Sequence, residues 1–170
     1  MKNLWAPWRM AYIRSPKKHD GCVFCTPRSA ASEEQEIERL IVYRGLDLYV
    51  MLNRYPYAAG HLMILPYRHV ADVTDMTAGE SAEFMLLVQQ ACRILREETG
   101  CDGINVGINL GEAAGAGVAQ HLHCHLVPRW KGDSQFIAVM DDVRLIPEAL
   151  EQTCVRFRGA FKKHFAERAE

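Results

Sequence analysis

No stretch of this sequence approaches the roughly 20 consecutive apolar residues that a membrane-spanning helix requires, so no span is expected. Charge of either sign is not in surplus: 20 Lys and Arg stand against 21 Asp and Glu, a formal net charge of -1. Without a global basic field, neither nucleic acid nor an anionic membrane is favoured as the main partner. The opening MKNLWAPWRMAYIRSPKKHDG lacks a continuous apolar core and a small-residue cleavage site, so no secretory signal is expected. Repeats and low-complexity tracts are absent too. What is left is a chain of 170 residues, 49% hydrophobic, sized for one domain with a proper core. Its six cysteines are unevenly placed. Cys92, Cys101, Cys124 and Cys154 lie in apolar surroundings and read as free thiols of a reducing cytoplasm. Cys22 and Cys25 form a C-x-x-C pair, which is half of a tetrahedral zinc site or a redox couple. A redox motif belongs at a helix start after a strand, and here it follows an irregular basic loop.

Periodicity supplies the elements. Residues 1–36 read as irregular, with Trp5 and Trp8 as docking groups and ASEEQEIE as a solvated charged stretch. RLIVYR and DLYVMLNR flank Gly45 as two strands of a hairpin, and GHLMILPYRH is a third apolar run stopped by Pro66. Thr77 and Glu80 make a capping box ahead of Phe84, Leu87, Val88, Ala91 and Leu95 at helical spacing, and Gly100 ends the helix. GINVGINLG alternates as a half-buried strand, EAAGAG is a small-residue loop, and VAQHLHCHLVPRW is a further strand. From Pro147 the chain reads as an amphipathic C-terminal helix. Strands, helix, strands, helix is an α+β order with an antiparallel sheet.

The chemistry is concentrated at His121, His123 and His125, three of seven histidines at alternate positions. On a strand they share one face, a surface or cleft, while Leu122, Cys124 and Leu126 point to the core. Same-face neighbours stand about 6.7 Å apart and the outer two about 13 Å. With zinc–nitrogen bonds of about 2.0–2.1 Å, three histidines on a straight strand cannot close on one ion. A row of imidazoles can instead meet successive phosphate oxyanions, one histidine attacking phosphorus and a neighbour donating to the leaving oxygen. The preceding LGEAAGAGVA is small enough for its amides to approach phosphate.

HLHCHLVP resembles the motif of the histidine-triad (HIT) superfamily, and LNRYPYAAGHLMILPYRH resembles that superfamily's nucleoside-binding hairpin. The ends, LWAPWRMAYI and VPRWKGDSQF, are similar to the bacterial branch that contains diadenosine tetraphosphate phosphorylases and hydrolases. The resemblance implies one HIT domain over residues 1–170, with an N-terminal zinc-loop segment, a long helix and a C-terminal helical extension. It implies cleavage of a dinucleoside polyphosphate at the α-phosphorus, by water or by inorganic phosphate, with His123 as nucleophile and His125 at the phosphate or leaving group. It places Asn53 at the ribose, His61 in the nucleotide pocket, and Asn109 with Gly115, Ala116 and Gly117 near the phosphates. Zinc-bearing members pair such cysteines with two histidines, which implies a structural zinc on Cys22, Cys25, His69 and His121, and no organic cofactor. Pairing as a homodimer through the long helix, about 78–99, and the adjacent edge strand is implied as well. Phosphorylase members can carry a serine where this chain has Gly117, and triphosphate-cleaving members usually carry a glutamine near Leu110. The same residues suit an adenylyl phosphoramidase or nucleotidyl transferase, and a non-catalytic nucleotide-binding zinc module is the reading from another class.

Overall fold

A computed structural model describes residues 21–29, 32–133 and 148–167. Trp5, Trp8, the basic loop before Gly21 and Pro147 lie outside the described residues. The elements run α1 (Glu33–Glu38), β1 (Ile41–Arg44), β2 (Leu48–Leu52), β3 (Leu62–Pro66), α2 (Ala78–Thr99), β4 (Gly103–Ile108), β5 (Cys124–Arg129) and α3 (Leu150–Ala166). The five strands form one antiparallel sheet in the order β1-β2-β3-β5-β4, an α+β fold.

The period of two along each strand divides the core. Leu48, Val50, Leu52, Leu62, Ile64, Cys124 and Leu126 face α2 and α3, where they meet Leu87, Ala91, Ile94, Leu95, Phe157 and Phe161. Ile41, Tyr49, Met63 and Leu65 face the other way and are met by Phe24 and Tyr67. The helix α3 is held to β1 by Tyr43, which stacks on Phe161 and Phe165 at 5.5 and 4.2 Å.

The ends of α2 follow local rules. Thr77 Oγ1 accepts from the Glu80 N–H, Glu80 Oε2 accepts from the Thr77 N–H, and Gly100 closes the helix in the left-handed region. Glu80 also accepts two hydrogen bonds from Arg68, which with the backbone bond hold its carboxyl down at about 2. Gly45 lets Glu83 come close: the Glu83 carboxylate accepts from the N–H groups of Leu46 and Asp47 at 2.7 and 2.8 Å, and a Cβ on Gly45 would collide with it.

Two expectations need correction. The stretch that reads as solvated charge contains α1, capped by Ser32, and its Glu36 is buried against a two-pronged bond from Arg44. The strand expected over 118–130 is shorter, because the ladders from β3 and β4 both end at Cys124. Upstream of it, the Leu122 N–H donates to the Val70 carbonyl at 2.6 Å, so the His121–His123 segment is tied to the loop after β3 instead.

Candidate functional site

His125 sits on β5 between Met63 of β3 and Gly107 of β4, so one flank of its ring is left without a side chain. The histidine row is not an open surface. His121 and His123 are 1% and 4% exposed, and Phe24 lies against both, with ring centroids 5.8 and 5.2 Å away. The segment carrying Cys22 and Cys25 therefore covers this end of the row.

The hydrogen bonds assign every tautomer needed. A carbonyl only accepts, so His123 Nδ1–H donates to the His121 carbonyl at 2.8 Å and the lone pair resides on Nε2. A backbone N–H only donates, so the Tyr57 N–H gives its hydrogen to His61 Nδ1 at 3.1 Å. His61 Nε2–H then donates to His125 Nδ1 at 2.9 Å, which leaves the proton of His125 on Nε2. The two triad rings stand nearly perpendicular, 82° apart with centroids at 4.9 Å, and carry opposite tautomers. Burial, and next the neighbouring His123, push His125 down to about 4, so it is neutral at physiological pH.

His61 is fully buried, behind His125 and beneath the Tyr57 ring at 4.7 Å. It therefore meets the site through the His125 ring, whose Nδ1 lies 2.9 Å from His61 Nε2. Its position depends on Gly60, whose φ of +77° and close approach to Thr99 and Phe157 leave little room for a side chain. Asn53 ends the β2–β3 hairpin beside His61, and its Oδ1 accepts from the Tyr55 N–H at 2.9 Å. Asn109 follows β4 and lies 4.0 Å from where a Cβ on Gly115 would stand. Gly111 and Gly115 adopt positive φ around a 3₁₀ turn, so the segment through Ala116 and Gly117 folds tightly between β4 and the histidines.

At the other end of the row, the donor atoms of Cys22, Cys25, His69 and His121 all lie within 4.8 Å of one another. Cys22 Sγ is 3.4 Å from His121 Nδ1, Cys25 Sγ 3.7 Å from the same atom, and Cys25 Sγ 3.4 Å from His69 Nδ1. Bonds of about 2.3 Å to sulfur and 2.0–2.1 Å to nitrogen give a tetrahedral S–N edge of about 3.5–3.6 Å, so the cluster has the size of a zinc cage. His121 Nε2–H donates to the Pro66 carbonyl at 3.0 Å, which aims the Nδ1 lone pair into the cage. Burial first, then the neighbouring His69 and His123, keep His121 below the usual imidazole value and hence neutral, as a ligand must be. Burial and the adjacent Cys22 push the Cys25 thiol up, and a dication in the cage would reverse that shift by binding thiolate.

Two contributors escaped the sequence reading. Phe24 fills an x position of C-x-x-C, and Tyr57 acts through its backbone N–H. An aromatic residue between paired cysteines was the available signal for the first; nothing in the composition marks the second.

A five-stranded antiparallel sheet with a histidine row running into the start of β5 and a Cys₂His₂ cluster beyond the end of β3 defines a histidine-triad protein. The chain belongs to the HIT domain family, whose sequence pattern matches residues 34–132. It is 42% identical to a Mycobacterium tuberculosis protein named AP-4-A phosphorylase over 157 residues, 90% of this chain and 80% of that one. It is 35% identical to the bis(5'-adenosyl)-triphosphatase of Saccharomyces cerevisiae over 92 residues, 54% of this chain and 44% of that one. Among solved structures, a zinc-bound histidine triad family protein from Mycobacterium smegmatis superposes with a TM-score of 0.62 at 30% identity, covering 77% of this chain and 88% of that one.

Proposed function

We propose that this chain cleaves dinucleoside polyphosphates of the diadenosine tetraphosphate kind at the α-phosphorus, through a nucleotidyl group carried on His123. The observation that carries this reading is the pair of opposite tautomers on adjacent rings: a lone pair on Nε2 of His123 and a proton on Nε2 of His125. His123 Nε2 attacks the α-phosphorus, the bond to the leaving polyphosphate oxygen breaks, and His125 Nε2–H donates to that oxygen. Water or inorganic phosphate then attacks phosphorus and breaks the P–N bond, which releases the nucleotide and frees His123. The name of the 42%-identical relative favours phosphate as acceptor, whereas Gly117 supplies no hydroxyl for it and leaves water as the second reading.

Asn53 would contact the ribose, and Asn109 with the Gly115–Gly117 turn would hold the phosphates with backbone N–H groups. His61 acts through His125. Zinc, held by Cys22, Cys25, His69 and His121, would cross-link the N-terminal loop to the end of β3 and to the triad segment; the neutral, aimed Nδ1 of His121 supports this fit. The chain forms one HIT domain with that loop at its start and α3 as its extension. Met85 and Leu86 on α2 and Val106 on the edge strand β4 are 54%, 57% and 47% exposed, which supports a homodimer through α2 and β4. Among the described residues no helix is long and apolar enough to cross a membrane. Outside the Cys₂His₂ cluster, Cys92, Cys101, Cys124 and Cys154 are unbridged thiols, as the reading of a reducing compartment requires.

Product analysis with and without inorganic phosphate tests the reading. The wild type should release a nucleoside monophosphate in water and a nucleoside diphosphate when phosphate completes the reaction. His123→Ala should bind nucleotide without turning it over. Wild-type turnover by that variant would overturn the assignment.

A further inference from the structure

We propose that Phe24 is a positioning residue for His123, so that the Cys22–Cys25 loop acts on the reacting histidine and not only on the fold. The inference rests on the assignment of His123 as nucleophile.

One hydrogen bond, from Nδ1–H to the His121 carbonyl, anchors the His123 ring, and one bond leaves a planar ring free to swivel about it. Two flat neighbours restrict that swivel. His125 stands edge-on at 4.9 Å, and Phe24 stands tilted by 51° at 5.2 Å, inside the 4.5–7 Å range of favourable aromatic pairs. Phe24 also meets the His121 ring at 79° and 5.8 Å, so it touches both the residue whose carbonyl anchors His123 and the His123 ring itself.

The loop fixes Phe24 in turn. The Cys25 N–H donates to the Cys22 carbonyl at 3.1 Å and closes a tight turn around Val23 and Phe24. The turn directs Val23 outward, 60% exposed, and Phe24 inward onto the sheet face of Ile41, Tyr49, Met63 and Leu65. The hydroxyl of Tyr49, itself 1% exposed, donates to the Phe24 carbonyl at 2.5 Å. The two sulfurs on either side reach His121 Nδ1. A chain of contacts therefore runs from the cage, through Phe24, to the ring that must meet phosphorus in line. Misplacement of a reacting group by about 1 Å can cost up to about 10²-fold, so a lost wall beside His123 should register in kcat.

The test compares zinc-replete wild type, Phe24→Leu and Phe24→Ala by metal content, kcat, KM and the ¹⁵N NMR signature of the His123 tautomer. Phe24→Ala should hold as much zinc as wild type and keep KM within about twofold. Its kcat should fall about tenfold or more, with a weakened Nδ1–H signal from His123. Phe24→Leu, which restores bulk without the ring, should recover part of kcat, and it carries the test if the alanine variant does not fold. A kcat within twofold of wild type for Phe24→Ala would overturn the proposal. So would a loss of kcat that tracks lost zinc and returns when zinc is resupplied, or a change confined to KM. The parent assignment fails separately: His123→Ala would then turn over, whereas failure of the Phe24 proposal leaves that variant inert.

Discussion

Replacing His61 by Phe removes the donor that fixes the tautomer of His125. In the structure the Tyr57 N–H occupies His61 Nδ1, His61 Nε2–H occupies His125 Nδ1 at 2.9 Å, and the proton of His125 is thereby held on Nε2. Phenylalanine preserves the ring packed beneath Tyr57 but donates nothing. His125 Nδ1 then becomes a largely buried acceptor without a partner, a defect of about 1–3 kcal/mol. With no donor at Nδ1, nothing holds the proton of His125 on Nε2, and in the tautomer protonated on Nδ1 the Nε2 atom lacks the hydrogen that the leaving oxygen requires. If the free-energy cost of restoring the active tautomer is of that order, kcat falls by about 5- to 150-fold while KM changes little. Steady-state kinetics on a dinucleoside polyphosphate at neutral pH measures this directly. His61→Gln is the control, because its amide N–H can donate to His125 Nδ1 and should recover part of the loss. A His61→Phe enzyme within twofold of wild type would refute the reasoning, and so would a glutamine variant no better than the phenylalanine one.

Three further outcomes follow from the same contacts. Metal analysis of freshly purified protein should give about one zinc per chain. Stripping it should lower the melting temperature by about 4–8 °C if the cage contributes about 2 kcal/mol, and protein without zinc that melts unchanged would contradict the cage. His125 stays neutral in the fold down to about pH 4, whereas the unfolded chain protonates it near the ordinary value of 6.5. The unfolded state therefore binds more protons in this window, and His125 makes stability fall as pH drops from about 6.5 towards 4; denaturant melts at pH 7.5 and 5 should show it, and His125→Gln should flatten the slope. Met85→Asp combined with Val106→Arg should convert a dimer into a monomer by light scattering, and a wild type already monomeric would contradict the proposed pairing.

Much of the fold could be read from the sequence because its signals are local. The α2 helix was legible from a cap box, a period and a terminal glycine, all satisfied within its own first and last turns. The β2 and β3 strands were legible because both bury one face fully and pair in a simple hairpin register. The α1 helix is hidden by its charge: Glu36 is buried by Arg44, eight residues on, and no helical apolar stripe announces it. The His121–His123 segment misled because alternation persists beyond the point where both ladders stop. The cage residues were legible only through family resemblance, since Cys22 and His121 meet across 99 positions. The relay from Tyr57 through His61 to His125 was invisible for another reason: its first donor is a backbone group, and sequence does not reveal which side chain a backbone N–H will meet.

The central claim is that His123 carries the nucleotidyl group, and the most direct measurement is to catch it there. Rapid quenching of enzyme with a dinucleoside polyphosphate into denaturant at alkaline pH, which spares P–N bonds, followed by peptide mass mapping, should locate one nucleotidyl group. The account predicts that group on the peptide containing His123, at Nε2, formed within the first turnover and absent from His123→Ala. A nucleotidyl group on another residue, or first-turnover product with none on the protein at any time, would contradict it.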